Sequence, residues 1–366
     1  MSENIWKNFE NFWNKNEIKQ KSELYHNYFE NPNKEESFSW INEKDKDSLK
    51  KINISKSMKW GIPNHILGDI DNSKFIIGLL NPGINMKQDE AENCNTVGEY
   101  IEKELKSEKK ELKEISFPSK EVYEKKINTE LNKDDFYYNH ILSKENVLSQ
   151  ELKKLYKIYN NDNLFFENME QKKMKNIGYY FSMYFKGVFN SFELAKNHYK
   201  NIFEKMEKAR VNVGSEVIQQ KFEEALLKMP ITNIELTPYR TEKKPNQMEL
   251  ESSKISANAI IEKIIQDQHT IVILRSYDTE KGYNWKNLLK EICEEKNIDF
   301  KSQIEPSIYI FVNPQNGSIS KQNIKPANSN NSLKTIDQVI EELNRKINLS
   351  NFENELDSII ESNNKR

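Results

Sequence analysis

The sequence predicts an α/β fold: a small four-stranded parallel sheet flanked by helices, with a large, mostly helical insertion and helical N- and C-terminal extensions. Three observations lead there. Four short runs, Lys74–Leu80, Ile231–Leu236, Thr270–Leu274 and Ser307–Val312, are rich in Ile, Val or Phe. They are continuous rather than alternating, as expected of strands buried on both faces of a parallel sheet. Helical stretches at Asn258–Asp267 and Trp285–Lys296 separate the last three runs, which implies strand–helix–strand units with right-handed crossovers. About 150 residues part the first run from the second, far more than a simple crossover needs.

Residues 1–64 read as a helical cap, because Trp6, Phe9 and Trp13, then Tyr25, Tyr28 and Phe29, recur at helical spacing. The core comprises residues 65–95 and 214–330, and the insertion residues 96–213. Within the insertion, residues 99–133 are rich in Lys and Glu, fitting a solvated helix with many i,i+4 pairs. Residues 177–206 predict a strongly aromatic helix or helix pair, and Val213–Leu227 the helix that enters the second strand. Ser252 and Ser253 look like N-caps of the helix that follows them. Residues 331–366 carry two amphipathic helices, about 334–346 and 350–362.

The 55 Lys and Arg nearly balance the 57 Asp and Glu, so a nucleic-acid partner would need a local basic face. Cys94 and Cys293 make neither a disulfide framework nor a metal-ligand spacing, and read as reduced thiols of a cytoplasmic protein. The N-terminus lacks the apolar core of a signal peptide, and no run approaches the roughly 20 apolar residues of a membrane span. A soluble protein without a membrane partner is therefore expected. The five histidines are scattered, and no phosphate-binding or dinucleotide motif is present, so no metal or cofactor is expected. His65, just before the first strand, reads as a satisfied polar residue near the cleft.

Ligands of open parallel sheets bind beyond the carboxyl ends of the strands. Those ends are Asn81-Pro82-Gly83-Ile84-Asn85, Thr237-Pro238-Tyr239-Arg240, Arg275-Ser276-Tyr277-Asp278 and the stretch from Asn313-Pro314 to Ser320. Two of the four share an Asn-Pro dipeptide. Proline confines the residue before it to extended conformations, so each asparagine amide is held in one direction.

The run from Ile76 to Asn81-Pro82-Gly83 resembles the first motif of the uracil-DNA glycosylase superfamily, in its mismatch-specific and thymine-glycosylase branch. There a Gly-Ile-Asn-Pro-Gly motif follows the first strand of a small parallel sheet. The resemblance covers roughly 65–90 and 228–325. It implies that Asn81 holds the water that attacks the sugar. It also implies that the loop bearing Asn313, Pro314, Ser318 and Ser320 grips the DNA strand. Two departures stand out. Leu79 occupies the family's glycine position, with Gly78 one residue early, and no histidine lies near the 313–320 loop. Arg275 or Lys321 would have to supply the missing cation.

Removing a base passes through an oxocarbenium-like sugar, by analogy with glycoside hydrolysis. An asparagine amide positions a water but cannot take its proton, so Asp89 and Glu90 are the candidate helpers, the plainer reading of both being a solvated helix start. Pro82, Gly83, Thr237, Tyr239 and Arg275 are the expected substrate-binding residues of the other ends. In this reading Tyr239 stacks on the flipped base, its plainer reading being an aromatic at the rim of the core, Thr237 or Glu235 bonds the base edge, and Gly83 and Gly317 admit backbone N–H groups. Residues 171–210 carry nine Lys or Arg against three Glu, together with Tyr179, Tyr180, Phe181, Tyr184, Phe185 and Phe189. That mixture suits nucleic-acid strands; the simpler reading is a helix that buries its rings. The expected function is a DNA glycosylase-like hydrolase acting on a modified or mismatched base. The large insertion points to a specialised substrate such as modified phage DNA, or to a defence role. The alternatives are a non-catalytic nucleic-acid or nucleotide sensor on the same fold, with the inserted helices as its partner surface, and a hydrolase of another kind.

Overall fold

The computed structural model describes residues 4–33, 37–49, 54–84, 86–104, 134–175, 177–242, 250–278 and 284–364. Most of the Lys/Glu-rich stretch expected to be a solvated helix, residues 105–133, lies outside the described residues, as does Asn85.

The chain is α/β. Strands β1 (Ile66–Leu67), β2 (Phe75–Leu79), β3 (Leu142–Ser143), β4 (Ile231–Glu235), β5 (Ile271–Leu274), β6 (Ile308–Phe311) and β7 (Ile324–Pro326) form one sheet in the order β3-β1-β4-β2-β5-β6-β7. The four expected runs are β4, β2, β5 and β6, adjacent and mutually parallel. The sheet is nevertheless wider than four strands and mixed. β1 runs antiparallel to β4, β3 lies parallel to β1, and β7 runs antiparallel to β6. These added strands are two or three residues long, too short to leave a periodic signal.

Side-chain alternation divides the core in two. Phe75, Ile77 and Leu79 of β2, Ile231 of β4 and Ile271 and Ile273 of β5 share one hydrophobic cluster with residues of helices Val147–Asn161, Phe192–Val213 and Ser215–Leu227. The C-terminal helices Ile336–Ile347 and Ser350–Asn364 add Leu343 and Phe352 to the same cluster. Ile76, Ile234, Val272 and Leu274 join the opposite cluster. There helices Glu251–Gln266 and Trp285–Glu295 pack with the N-terminal helices Ile5–Phe12 and Lys15–Glu30. The long connection from β2 to β4 is thus one of the two layers that bury the sheet.

The aromatic stretch is not a regular helix. It runs through a π-helical turn at Tyr180–Tyr184 and a 3-10 turn at Phe185–Phe189 before helix Phe192–Val213 begins. Phe181, Tyr184, Phe185 and Phe189 are buried in the core, which removes them as stacking platforms. Tyr179, 39% exposed, and the half-buried Tyr180 are the two rings of the six that reach the surface.

Glu251–Gln266 is capped from more than 200 residues away. Ser252 and Ser253, expected as N-caps, lie inside its first turn, and no side chain of the N-cap residue Leu250 bonds to the helix. The buried carboxylate of Asp45 accepts from Ser252 N at 3.1 Å instead, and from the Tyr239 hydroxyl at 2.7 Å. Burial raises the Asp45 pKa, opposed by those two donors. Asp45→Ala strands a backbone N–H and a buried phenol together. It should cost about 2–4 kcal/mol of unfolding free energy, read as a lower denaturation midpoint. Asp45→Asn, which keeps an acceptor, should cost less.

Candidate functional site

The parallel strands run second, first, third, fourth in sequence order, so the connections leaving the neighbours β2 and β5 go to opposite faces of the sheet. A crevice is expected at the carboxyl end of such a switch point, here between β2 and β5. The residues just beyond those strands are Leu80-Asn81 and Arg275.

Asn81 is fixed in orientation. Its Nδ2 donates to Thr241 O at 2.8 Å and to Pro82 O at 3.1 Å. Two carbonyl acceptors settle which way the amide faces, and Oδ1 remains as the acceptor to hold a water. The loops after β2 and β4 are sewn together by further bonds: Leu236 N to Leu79 O, Thr237 N to Leu80 O and Thr241 N to Pro82 O. Arg240 donates through Nη1 to Gly83 O at 3.2 Å and through Nε to Ile62 O, clamping the loop from beneath. Gly83 itself is exposed, and a Cβ there would meet nothing.

A second set of polar groups lies on the insertion side of the same edge. Glu235 pairs in register with Leu79, and Arg275 follows Leu274, the partner of Gly78, so the two flank Leu79 on adjacent strands. Asn233 and Glu235 alternate with Ile231 on one face of β4, and all three are buried. Among the described residues, neither Asn233 amide atom, nor Glu235 Oε2, has a hydrogen-bond partner. Burial pushes the Glu235 carboxyl up to about 8, against the pull of Arg275 and Arg240. A carboxylic acid that keeps its proton at neutral pH can donate it. Arg275 Nη1 donates to the Tyr184 hydroxyl at 2.7 Å, and the next residue, Ser276, turns the chain at φ +58°, in the left-handed region. The Tyr180 ring lies 5.3 Å from that of Tyr184. Burial, then the charge of Glu235, holds the Tyr180 hydroxyl well above its ordinary pKa. Glu151 anchors this turn from below, accepting from Tyr180 N at 2.9 Å and Phe181 N at 2.6 Å.

The other expected residues fare unevenly. Pro82 and Thr237 are buried in the paired loops beside Asn81. Tyr239 has no face to offer a base. Its ring is fully buried 6.3 Å from that of Trp13, and its hydroxyl is taken by Asp45 and by Asn42 N. Asp89 is exposed in the first turn of the short helix Gln88–Glu92, and among the described residues no hydrogen bond joins it to Asn81. The carboxyl that does sit at this edge is Glu235.

Asn313 and Pro314 cap β6 on the exposed rim, at the same end of the sheet as Asn81 and two strands away, roughly 10 Å. Asn313 Oδ1 accepts from Gln315 N, closing a local turn. Ser318 is buried, its carbonyl accepting from Asn323 Nδ2. Ser320 is half-buried and accepts through its carbonyl from Asn323 N and Ile324 N. Gly317 does not admit a ligand backbone: a Cβ there would stand 3.0 Å from the Tyr184 ring, and Ile319 N donates to Tyr184 O. What approaches that glycine is the insertion.

His65 is buried and neutral. Trp13 Nε1 donates to its Nδ1 at 2.8 Å, which places the proton on Nε2, facing Ser256 Oγ at 2.8 Å. It fastens the N-terminal cap to the sheet and, fully buried, offers no face to a ligand. Both cysteines are buried free thiols, and among the described residues no three His, Cys, Asp or Glu are grouped to hold a metal ion. Among the same residues no helix is long and apolar enough to cross a membrane.

Comparison with family models, with curated proteins and with solved structures finds no match to this chain.

Proposed function

We propose that the protein hydrolyses the N-glycosidic bond of a modified or mismatched base in DNA. The observation that supports this reading is the placement of two groups at the same end of the sheet. These are an asparagine amide whose orientation is fixed by Thr241 and Pro82, and a buried glutamic acid in register with the strand leading to it. In this mechanism Asn81 Oδ1 holds the water below the sugar. Glu235 donates its proton to the base as the bond between C1′ and the base nitrogen breaks. The water then adds to the oxocarbenium carbon and loses its proton to solvent, which also returns one to Glu235. Arg275 offsets negative charge on the departing base or the neighbouring phosphate. Extracting the nucleotide costs a few kcal/mol, least where the base is mispaired or damaged. Tyr179, 39% exposed and beside Arg275, would be the ring to stack on it.

The test is incubation with modified, mismatched and unmodified DNA, followed by alkali to cut at abasic sites. The wild-type protein should cut a modified or mismatched strand, and Asn81→Ala should cut it slower by roughly 10²-fold or more. Equal cutting by both proteins would remove Asn81 from the chemistry.

One observation favours a second reading, a non-catalytic sensor of nucleic acid or nucleotides. The insertion occupies part of the edge, since Tyr184 bonds Arg275 and packs on Gly317. Binding of modified DNA without strand cutting on any substrate would select that reading.

A further inference from the structure

At the opposite end of the sheet, where the strands begin, a cleft of about 700 Å³ opens between three segments: the entry to β2, the end of helix Ser215–Leu227, and the junction of the two C-terminal helices. Its walls carry Lys74, Lys221, Lys228, Arg345 and Lys346 against Glu224 and Glu355, a local charge of +3 (five minus two) on a chain whose net charge is −2. Lys74 pairs with Asp267 and Lys221 with Glu355. Among the described residues, Lys228, Arg345 and Lys346 enter no ion pair, and Lys228 and Arg345 are exposed. The floor is apolar, with Met229 and Phe352 buried in the core beneath it.

We infer that this cleft binds the polyphosphate of a nucleotide, at a site separate from the carboxyl ends of the strands. Three features select that chemistry. The volume lies within the range of small-molecule sites, roughly 300–1,000 Å³. Three cations that enter no ion pair among the described residues line one cleft, and an arginine among them can grip two phosphate oxygens at once. An apolar floor beside a cationic wall suits a ligand with a flat apolar part and an anionic tail. A bound nucleotide would also tie the C-terminal helices to the first pairing of the parallel sheet, because Pro230 O, on the cleft wall, accepts from Lys74 N and Phe75 N. The inference does not depend on base removal at the other edge.

The experiment is calorimetric titration of the full chain with a nucleoside triphosphate, with the unphosphorylated nucleoside, with inorganic tripolyphosphate as competitor, and with a single-stranded oligonucleotide. The triphosphate should bind with a dissociation constant below about 1 mM, the nucleoside should not, and tripolyphosphate should displace the nucleotide. Lys228→Glu combined with Arg345→Glu, both at exposed positions, should weaken binding by roughly tenfold or more. Their melting temperature should stay near that of the wild type, and the single variants serve if the double variant misfolds. No binding at about 1 mM, or equal binding by wild type and charge-reversed protein, would overturn the assignment. So would tighter binding of the oligonucleotide that the same substitutions abolish, which would make the cleft a strand-binding groove.

Discussion

Glu235→Gln is expected to slow base release sharply while making the protein more stable at pH 8. The two effects have one cause. In the folded chain burial holds the Glu235 carboxyl up to about 8, so at neutral pH it is a neutral acid able to donate a proton. In the unfolded chain the same carboxyl ionises near 4.5. Between those values the unfolded state releases a proton that the folded state keeps, so stability falls as pH rises from about 4.5 to about 8. Glutamine has the same shape and no proton to lose, so it escapes that loss. At pH 8 the variant should gain on the order of 2–4 kcal/mol, and at pH 4.5 it should match the wild type. Its rate of base release should fall by roughly 10²–10⁴-fold, the usual contribution of a general acid. Denaturant titrations at the two pH values and the alkali cleavage assay read the two effects separately. Equal stability at both pH values would mean that the carboxyl is ionised in the fold, and the proposed acid would be lost with it. A site residue that costs stability is the common trade between fold and function.

The parallel core was legible because burial on both faces leaves continuous runs of Ile, Val and Phe. Each of the four runs contains one strand of the parallel set. Asn81-Pro82-Gly83 was legible for a similar reason, since proline restricts its neighbour through local sterics alone. What was hidden depends on partners distant in sequence. Tyr239 follows a strand and looks free to stack. Asp45, 194 residues earlier, takes its hydroxyl, and no local pattern announces that bond. Ser252 and Ser253 have the chemistry of helix caps, but the same aspartate supplies the cap from another segment. Asp89 follows the motif closely and is exposed, whereas Glu235 lies 154 positions beyond Asn81 and reaches the same strand end because β2 and β4 pair in register. One sign of Glu235 was present: a carboxylate two residues from an asparagine breaks the pattern of a run buried on both faces. The unexpected glycine at position 78 also has a packing cause. A Cβ there would stand 2.3 Å from a Leu274 methyl and 3.1 Å from the Trp285 ring, and the Trp285 indole donates to Leu79 O at 3.0 Å. Leu79 alternates to the other face, where the insertion covers it.

The second large effect is a loss of stability in acid set by two histidines. His65 is held down to about 3 by burial, and His140 to about 4 by burial and by Arg240, whose guanidinium donates to its Nε2 at 3.2 Å. Both are neutral in the fold well below the ordinary histidine value of 6.5. Below pH 6.5 the unfolded chain therefore takes up protons that the folded chain refuses, and stability falls as pH falls. The slope is about 1.4 kcal/mol per pH unit for each histidine, and it persists until about 4 for His140 and about 3 for His65. On the alkaline side the buried carboxyls act in the opposite sense. Glu235 and Glu151, raised by burial to about 8 and about 7, and Asp45 and Glu104, raised by burial, lose stability as pH rises. Histidine and carboxyl contributions oppose one another between about 4.5 and 6.5, so the midpoint of denaturation should change least in that window. It should drop on both flanks. His65→Gln retains an acceptor for Trp13 Nε1 and a donor for Ser256, but it cannot be protonated. Whatever it costs in packing, it should flatten the acid flank by one histidine's slope and leave the alkaline flank unchanged, just as Glu235→Gln should flatten only the alkaline one. If denaturation curves of His65→Gln kept the wild-type slope between pH 6.5 and 4, the imidazole would have to accept a proton in the folded state. Its Nδ1 would then be a donor facing the donor Trp13 Nε1, and the joint between the N-terminal cap and the sheet would have to open.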